Sequence, residues 1–99
     1  MERELYLTDS YLMEFRAKVI TRDGEWVELD RTAFYPGGGG LLNDVGVLVK
    51  GSKEFKVEEV KREGGRVLHK VTNAESLNVG DEVTGRIDWE RRYAMMKLH

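Results

Sequence analysis

The residues whose types could support chemistry lie in two parts of this 99-residue chain. The first is the stretch 32–40, which joins a threonine, a Phe-Tyr pair, the only proline and four consecutive glycines. Glycines let a main chain come close to a ligand, because they carry no side chain. The same composition is typical of a wide connection across the end of a β-barrel, so both interpretations stay open.

The second part is the pair of histidines, His69 and His99. His69 lies in a segment that alternates like a strand, where a lone histidine is typical of a hydrogen-bonded structural residue. Zinc requires at least two further histidine or cysteine ligands, and the chain has no cysteine and no third histidine. The residues of this sequence therefore do not complete a metal site, and no spacing of serine, histidine and aspartate identifies a nucleophile.

The elements that must position these residues are short and regular. Alternating runs separated by turn residues predict six strands, at residues 15–21, 25–30, 45–50, 55–62, 66–71 and 82–88. Asp23-Gly24 predicts a tight hairpin turn, because glycine tolerates a positive φ. Six short antiparallel strands expose their edges unless the sheet closes, so we predict a mainly β fold, a small six-stranded antiparallel barrel.

The last residues change character. Trp89, Tyr93 and Met96 recur at spacings of four and three, which predicts a C-terminal helix over residues 89–99. The pattern reaches His99 without a glycine cap, so we expect a piece of a longer protein. Residues 1–88 would form the barrel domain, and residues 89–99 would begin a helix whose apolar side chains favour self-association.

Composition limits the classes of partner. Sixteen Lys and Arg against 18 Asp and Glu give a formal charge of −2, which argues against binding a polyanion by bulk charge but allows a local basic patch. No segment approaches the roughly 20 apolar residues of a membrane helix, and acids stand where a signal peptide would be apolar. We therefore expect a cytoplasmic protein without a membrane partner.

Two segments together resemble the alanyl-tRNA editing proteins. Residues 29–40, followed by Asn43-Asp44-Val45-Gly46, resemble the family pattern of a threonine, Phe-Tyr-Pro, three glycines and Asp-x-Gly. Residues 85–99 resemble the segment that leads into the family's zinc-binding His-x-x-x-His helix, with His99 as its first histidine. Leu41-Leu42 depart from the Gln-Pro that many relatives carry there.

The resemblance implies a barrel like those of translation factors, followed by a catalytic editing domain. Full-length relatives hydrolyse the ester that links serine or glycine to tRNA(Ala), with a zinc ion held by two histidines of that helix, a cysteine and a further histidine. The resemblance places Thr32, Gly38, Gly39 and Gly40 beside the aminoacyl pocket and makes His99 the first ligand of an incomplete zinc site. A threonine hydroxyl can hydrogen-bond the serine side chain that alanine lacks.

Two functional hypotheses follow. In the first, the chain is the N-terminal barrel of a trans-editing hydrolase, which meets the tRNA(Ala) acceptor end and a missing editing domain. On its own this chain would bind no zinc and would be inactive. In the second, it is a non-enzymatic module, either an RNA-binding barrel or an engineered scaffold derived from this domain.

Overall fold

The computed structural model describes residues 13–36 and 44–88, together with Glu90. A short 3₁₀ turn, Ala74–Ser76, precedes the last strand. The six strands are β1 (Glu14–Asp23), β2 (Trp26–Leu29), β3 (Gly46–Lys50), β4 (Lys53–Glu63), β5 (Arg66–Val71) and β6 (Glu82–Ile87).

The strands form a closed barrel in the order β1-β2-β5-β4-β3-β6, with every neighbouring pair antiparallel. Closure pairs β1 with β6 and β6 with β3, so each of these strands has two hydrogen-bonded neighbours. The predicted six-stranded antiparallel barrel is confirmed. Each strand lies within two residues of its predicted limits, because the alternation that marks it is local.

The turns lengthen two strands beyond the predicted limits. Asp23 pairs with Trp26 across the first hairpin, where Gly24 has a φ of +62° as the Asp-Gly dipeptide predicts. Lys50 pairs with Lys53 across the turn at Gly51, which has a φ of +63°. Since pairing resumes directly after each turn, β1 and β4 run further than their alternating patterns.

A β-bulge in β4 changes which side chains face the core. The register with β5 shifts between Val57 and Glu59, so that Val57 and Val60 are both buried. Strict alternation from Val57 would have placed Glu59 inside the barrel. Burying a charged side chain without a partner is energetically costly. The bulge therefore keeps Glu59 exposed while the strand continues.

β2 and β3 follow each other in the chain but are not neighbours in the sheet. The residues just after β2 enter the core: Ala33 and Phe34 have no exposed surface. Residues 37–40 lie outside the described residues, so both interpretations of residues 32–40 stay predictions. The connection adds its apolar residues to one continuous core, which consists of Phe15, Ala17, Val19, Val27, Leu29, Ala33, Phe34, Leu48, Phe55, Val57, Val60, Val67, Val71, Ala74, Leu77, Val83 and Ile87.

The predicted helix of residues 89–99 lies outside the described residues, apart from Glu90, so the structure lends it no support. The barrel strands all fall within Glu14–Ile87. No helix in the described part of the chain is both long and apolar enough to cross a membrane.

Candidate functional site

Thr32 lies just after β2, at the start of the connection to β3. Only 3% of its surface is exposed. Its hydroxyl oxygen is 2.8 Å from Nε2 of His69 and accepts the Phe34 backbone N–H at 3.0 Å. Thr32 is thus the centre of a buried polar contact between the connection and β5.

His69 fixes the direction of that contact. Its side chain is fully buried, and its Nδ1 lies 2.9 Å from the Val27 carbonyl oxygen, which can only accept. Burial lowers the pKa of His69 to about 4, so the ring is neutral at pH 7 and its single proton is on Nδ1. Nε2 is then a bare acceptor, and the Thr32 hydroxyl donates to it. The prediction that His69 is a hydrogen-bonded structural residue is confirmed.

An aromatic row holds the imidazole in place. Phe34 packs edge-on against His69, with ring centroids 5.5 Å apart and planes at 73°. Phe15 packs in the same way on Phe34, at 5.5 Å and 79°. Because edge-on packing restricts ring rotation, the Nε2 atom of His69 keeps its aim at Thr32.

Asp44 follows the glycine-rich segment of the sequence and contacts Tyr35, which precedes it. Its backbone N–H donates to the Tyr35 carbonyl at 2.9 Å, and its Oδ2 accepts the Tyr35 N–H at 2.8 Å. Asp44 is 1% exposed, whereas Tyr35 is partly exposed. Two hydrogen bonds therefore join Tyr35 and Asp44, the residues that flank the glycine-rich segment in the sequence.

Gly46 provides the space that this arrangement requires. A Cβ there would overlap the backbone carbonyl of Arg86 in β6 and would come within 3.0 Å of the Phe34 ring. The glycine of the Asp-x-Gly pattern thus lets β3 pass β6 and Phe34 at close range. We call Thr32, Phe34, Asp44, Gly46 and His69 the loop root.

The predicted site residues divide into two groups. Thr32 lies in the loop root, at the entrance to the glycine-rich loop. Gly38, Gly39, Gly40 and His99 lie outside the described residues, so their predicted roles stay predictions.

Sequence reasoning did not identify His69 as the partner of Thr32. The period of β5 would have turned His69 inward with Val67 and Val71, which are both buried. What the local pattern lacked was the pairing of β2 with β5, which brings together residues 37 positions apart.

The described part of the chain contains no cluster of metal-binding side chains. No group of three histidine, cysteine, aspartate or glutamate side chains is placed there to hold an ion. Both nitrogens of His69 are used by Val27 and Thr32, so this histidine does not serve as a ligand. His99, the ligand that the resemblance implies, lies outside the described residues, so the zinc site stays a prediction.

A groove of about 510 Å³ lies on the outside of β3, β4 and β6. Its charged lining residues are balanced, with Lys56 and Arg86 against Glu54 and Asp88. Arg86 is also paired with Glu14 at 3.0 Å. Apart from Gly46, the lining is separate from the loop root.

Comparison with known proteins identifies the family. Residues 6–91 match the family model described as tRNA synthetases class II (A). The chain belongs to this family. It is 56% identical over 101 aligned residues to the alanyl-tRNA editing protein AlaX-M of Saccharolobus solfataricus, covering 100% of this chain and 43% of that relative.

Alanine–tRNA ligases match over the same length. The ligases of Pyrococcus abyssi and Pyrobaculum aerophilum are 46% and 48% identical over 97 and 98 residues, which is 98% of this chain and 11% of each ligase. The resemblance to alanyl-tRNA editing proteins is therefore confirmed. The class II family member described here spans less than half of the editing protein and about a tenth of the ligases.

Proposed function

We propose that this chain is the barrel of a tRNA(Ala) editing hydrolase, which removes serine or glycine from mischarged tRNA(Ala). The observation that carries the proposal is the 56% identity over the whole chain to a protein named for alanyl-tRNA editing. The loop root supports it, because a threonine hydroxyl held by two hydrogen bonds is suited to recognise a small polar group.

The proposal gives the loop a role at the aminoacyl end of the tRNA. Gly38, Gly39 and Gly40 would offer main-chain N–H groups to the aminoacyl ester without interference from side chains. Thr32 stands at the entrance to this loop, and its buried hydroxyl would meet the substrate side chain. A site that hydrogen-bonds a hydroxyl discriminates against alanine more strongly than one that measures size.

The proposal assigns zinc chemistry to residues beyond the loop root. His99 would be one ligand, and since the sequence has two histidines and no cysteine, the remaining ligands would come from outside it. When bound, the ion would activate water and polarise the ester carbonyl. This chain alone is therefore proposed to be inactive, with the loop root contributing substrate recognition only.

The surface favours this role over an independent RNA-binding barrel. The ring of Trp26, an aromatic side chain on the outer face, is covered by its neighbour Lys61, whose Nζ is 4.2 Å from the ring centroid. Lys61 also pairs with Glu63 at 2.9 Å. A base would have to displace this lysine before it could stack on the tryptophan.

A deacylation assay tests the proposal. Seryl-, glycyl- and alanyl-tRNA(Ala) are incubated with a full-length editing protein that carries this barrel and, in parallel, with the 99-residue chain. We expect the full-length protein to release serine and glycine but spare alanine, and the chain alone to release none. Deacylation of all three at equal rates, or of none by the full-length protein, would contradict the proposed function.

Binding of uncharged tRNA(Ala) to the chain provides a second measurement. A barrel that only lends recognition to a larger enzyme should bind tRNA weakly, and the binding should weaken further between low and moderate salt. Tight binding that persists at moderate salt would favour the independent RNA-binding module instead.

A further inference from the structure

The buried pair of Thr32 and His69 gives the hydroxyl a defined polarity. A hydroxyl has one proton to donate and two lone pairs to accept with. The proton is directed at Nε2 of His69, over 2.8 Å, and one lone pair accepts the Phe34 N–H at 3.0 Å. One lone pair of the Thr32 oxygen is therefore without a partner among the described residues.

The opposite polarity is blocked by β2. For Thr32 to donate elsewhere, Nε2 of His69 would have to carry a proton, and Nδ1 would then face the Val27 carbonyl as a second acceptor at 2.9 Å. Two acceptors at that distance, fully buried, repel each other and leave the carbonyl without its hydrogen bond. Rotating the ring would move both nitrogens away from Thr32 and Val27, the partners that they contact at 2.8 and 2.9 Å.

We propose that His69 is a positioning residue that makes Thr32 an obligatory hydrogen-bond acceptor toward the aminoacyl group. The inference rests on the proposed function, in which Thr32 meets the substrate. A seryl group can donate its side-chain hydroxyl to the remaining lone pair, whereas alanyl and glycyl groups have no donor there. Selection for serine would thus be set by an imidazole that never touches the substrate.

Nitrogen NMR of the ¹⁵N-labelled chain near neutral pH tests the polarity itself. We expect His69 to carry its proton on Nδ1, with Nε2 showing the shift of a bare nitrogen, and the Thr32 hydroxyl proton to exchange slowly. In Thr32→Val that hydroxyl signal disappears while Nδ1 stays protonated. A proton on Nε2 of His69 in the unmodified chain would overturn the inference.

Specificity kinetics test the consequence. In a full-length editing protein with this barrel, His69→Phe keeps a ring of similar shape but frees the Thr32 proton. We expect the ratio of seryl to glycyl deacylation rates to fall by roughly 10-fold or more. Thr32→Val should lower the same ratio. Val71→Ala, a core truncation in the same strand, is the matched control, since it lowers stability without altering the ratio.

The outcomes separate the two levels of the account. If the unmodified protein fails to release serine, the proposed function is wrong. If it releases serine and Thr32→Val changes the ratio while folded His69→Phe does not, the positioning role of His69 is wrong. If His69→Phe does not fold, the nitrogen spectrum of the unmodified chain decides the inference.

Discussion

The loop root and the outer surface of the barrel use polar side chains in opposite ways. Inside, Thr32 and His69 are neutral and buried, and each hydrogen bond has one possible direction. Outside, charges are paired but wet: in Arg86–Glu14 both side chains are more than half exposed. A buried polar group thus needs one defined hydrogen-bond partner, whereas an exposed one does not. The buried groups with defined partners, Thr32 and His69, lie at the candidate site.

The electrostatic effects differ accordingly. On the surface, Lys50 beside Asp81, helped by the Asn78 backbone N–H, holds the pKa of that carboxyl below its usual range. In the loop root, burial moves the pKa of His69 in the direction that keeps it uncharged. The Lys50–Asp81 pair thus favours the charged form of the carboxyl, whereas burial favours the neutral form of His69.

The largest expected effect on stability comes from adding a side chain at Gly46, where β3 passes close to β6. Gly46→Ala would force its Cβ onto the Arg86 carbonyl, so we expect the free energy of unfolding to fall by more than about 3 kcal/mol. Gly51→Ala is the control: it has open space and a φ of +63°, and should cost about 1 kcal/mol. Urea unfolding of both variants checks this, and equal losses would show that the close approach of β3 and β6 is not what limits Gly46.

The next effect is the dependence of stability on pH. In the unfolded chain His69 becomes protonated below its ordinary pKa of 6.5. In the folded barrel the pKa of His69 is about 4, so the ring stays neutral down to about that pH. The unfolded state therefore binds more protons in this window. Stability from this source is complete above pH 6.5 and declines by up to roughly 3 kcal/mol as the pH falls to about 4.

The matched measurement compares urea unfolding of the unmodified chain and His69→Phe across this pH window. The variant has no titrating group at this position, so its stability should decline less steeply toward acid. Parallel pH profiles for the two proteins would mean that the burial of His69 does not control its protonation.

A smaller effect is expected from Thr32→Val, which keeps the shape of the side chain but removes the hydroxyl. His69 Nε2 and the Phe34 N–H would each lose a buried partner, so we expect a loss of about 1–3 kcal/mol. Thr84→Val, on the half-exposed face of β6, should change stability by less than about 0.5 kcal/mol. Thermal unfolding compares the two, and a neutral Thr32→Val would show that the hydroxyl is not held by the loop root.

The smallest effect is expected on the outer surface. Arg86→Ala removes an exposed ion pair with Glu14, whose side chains are 54% and 57% exposed respectively. We expect a change within about 0.5 kcal/mol that shrinks further as salt is added. A loss as large as that of Thr32→Val would mean that the contrast between surface and interior is overstated.

The sequence was sufficient to predict the strands and the barrel, since the alternation of apolar and polar residues and the glycine-containing turns are local signals. It was not sufficient for the β4 bulge, because the register shift at Glu59 depends on pairing with β5. Nor did it show the contact of Thr32 with His69, which spans 37 positions and depends on β5 lying between β2 and β4. Local patterns therefore predicted the strands that carry the candidate site, whereas the contacts between those strands depend on long-range pairing.

Asp44 illustrates the same limit within a recognised motif. The resemblance marked the Asp-x-Gly pattern, but the pattern itself gave no reason for the acid. The structure supplies one: the buried carboxylate and backbone of Asp44 clamp Tyr35 at the base of the glycine-rich loop. The tight space at Gly46 likewise became visible only with β6 in place.

The central proposal is that the loop root recognises the side chain of the amino acid on tRNA(Ala). Its most direct test is the rate of seryl-tRNA(Ala) deacylation, relative to glycyl-tRNA(Ala), by the full-length protein with and without Thr32→Val. The account predicts that seryl deacylation loses about 10- to 100-fold more than glycyl deacylation. An unchanged ratio in a folded variant would contradict it.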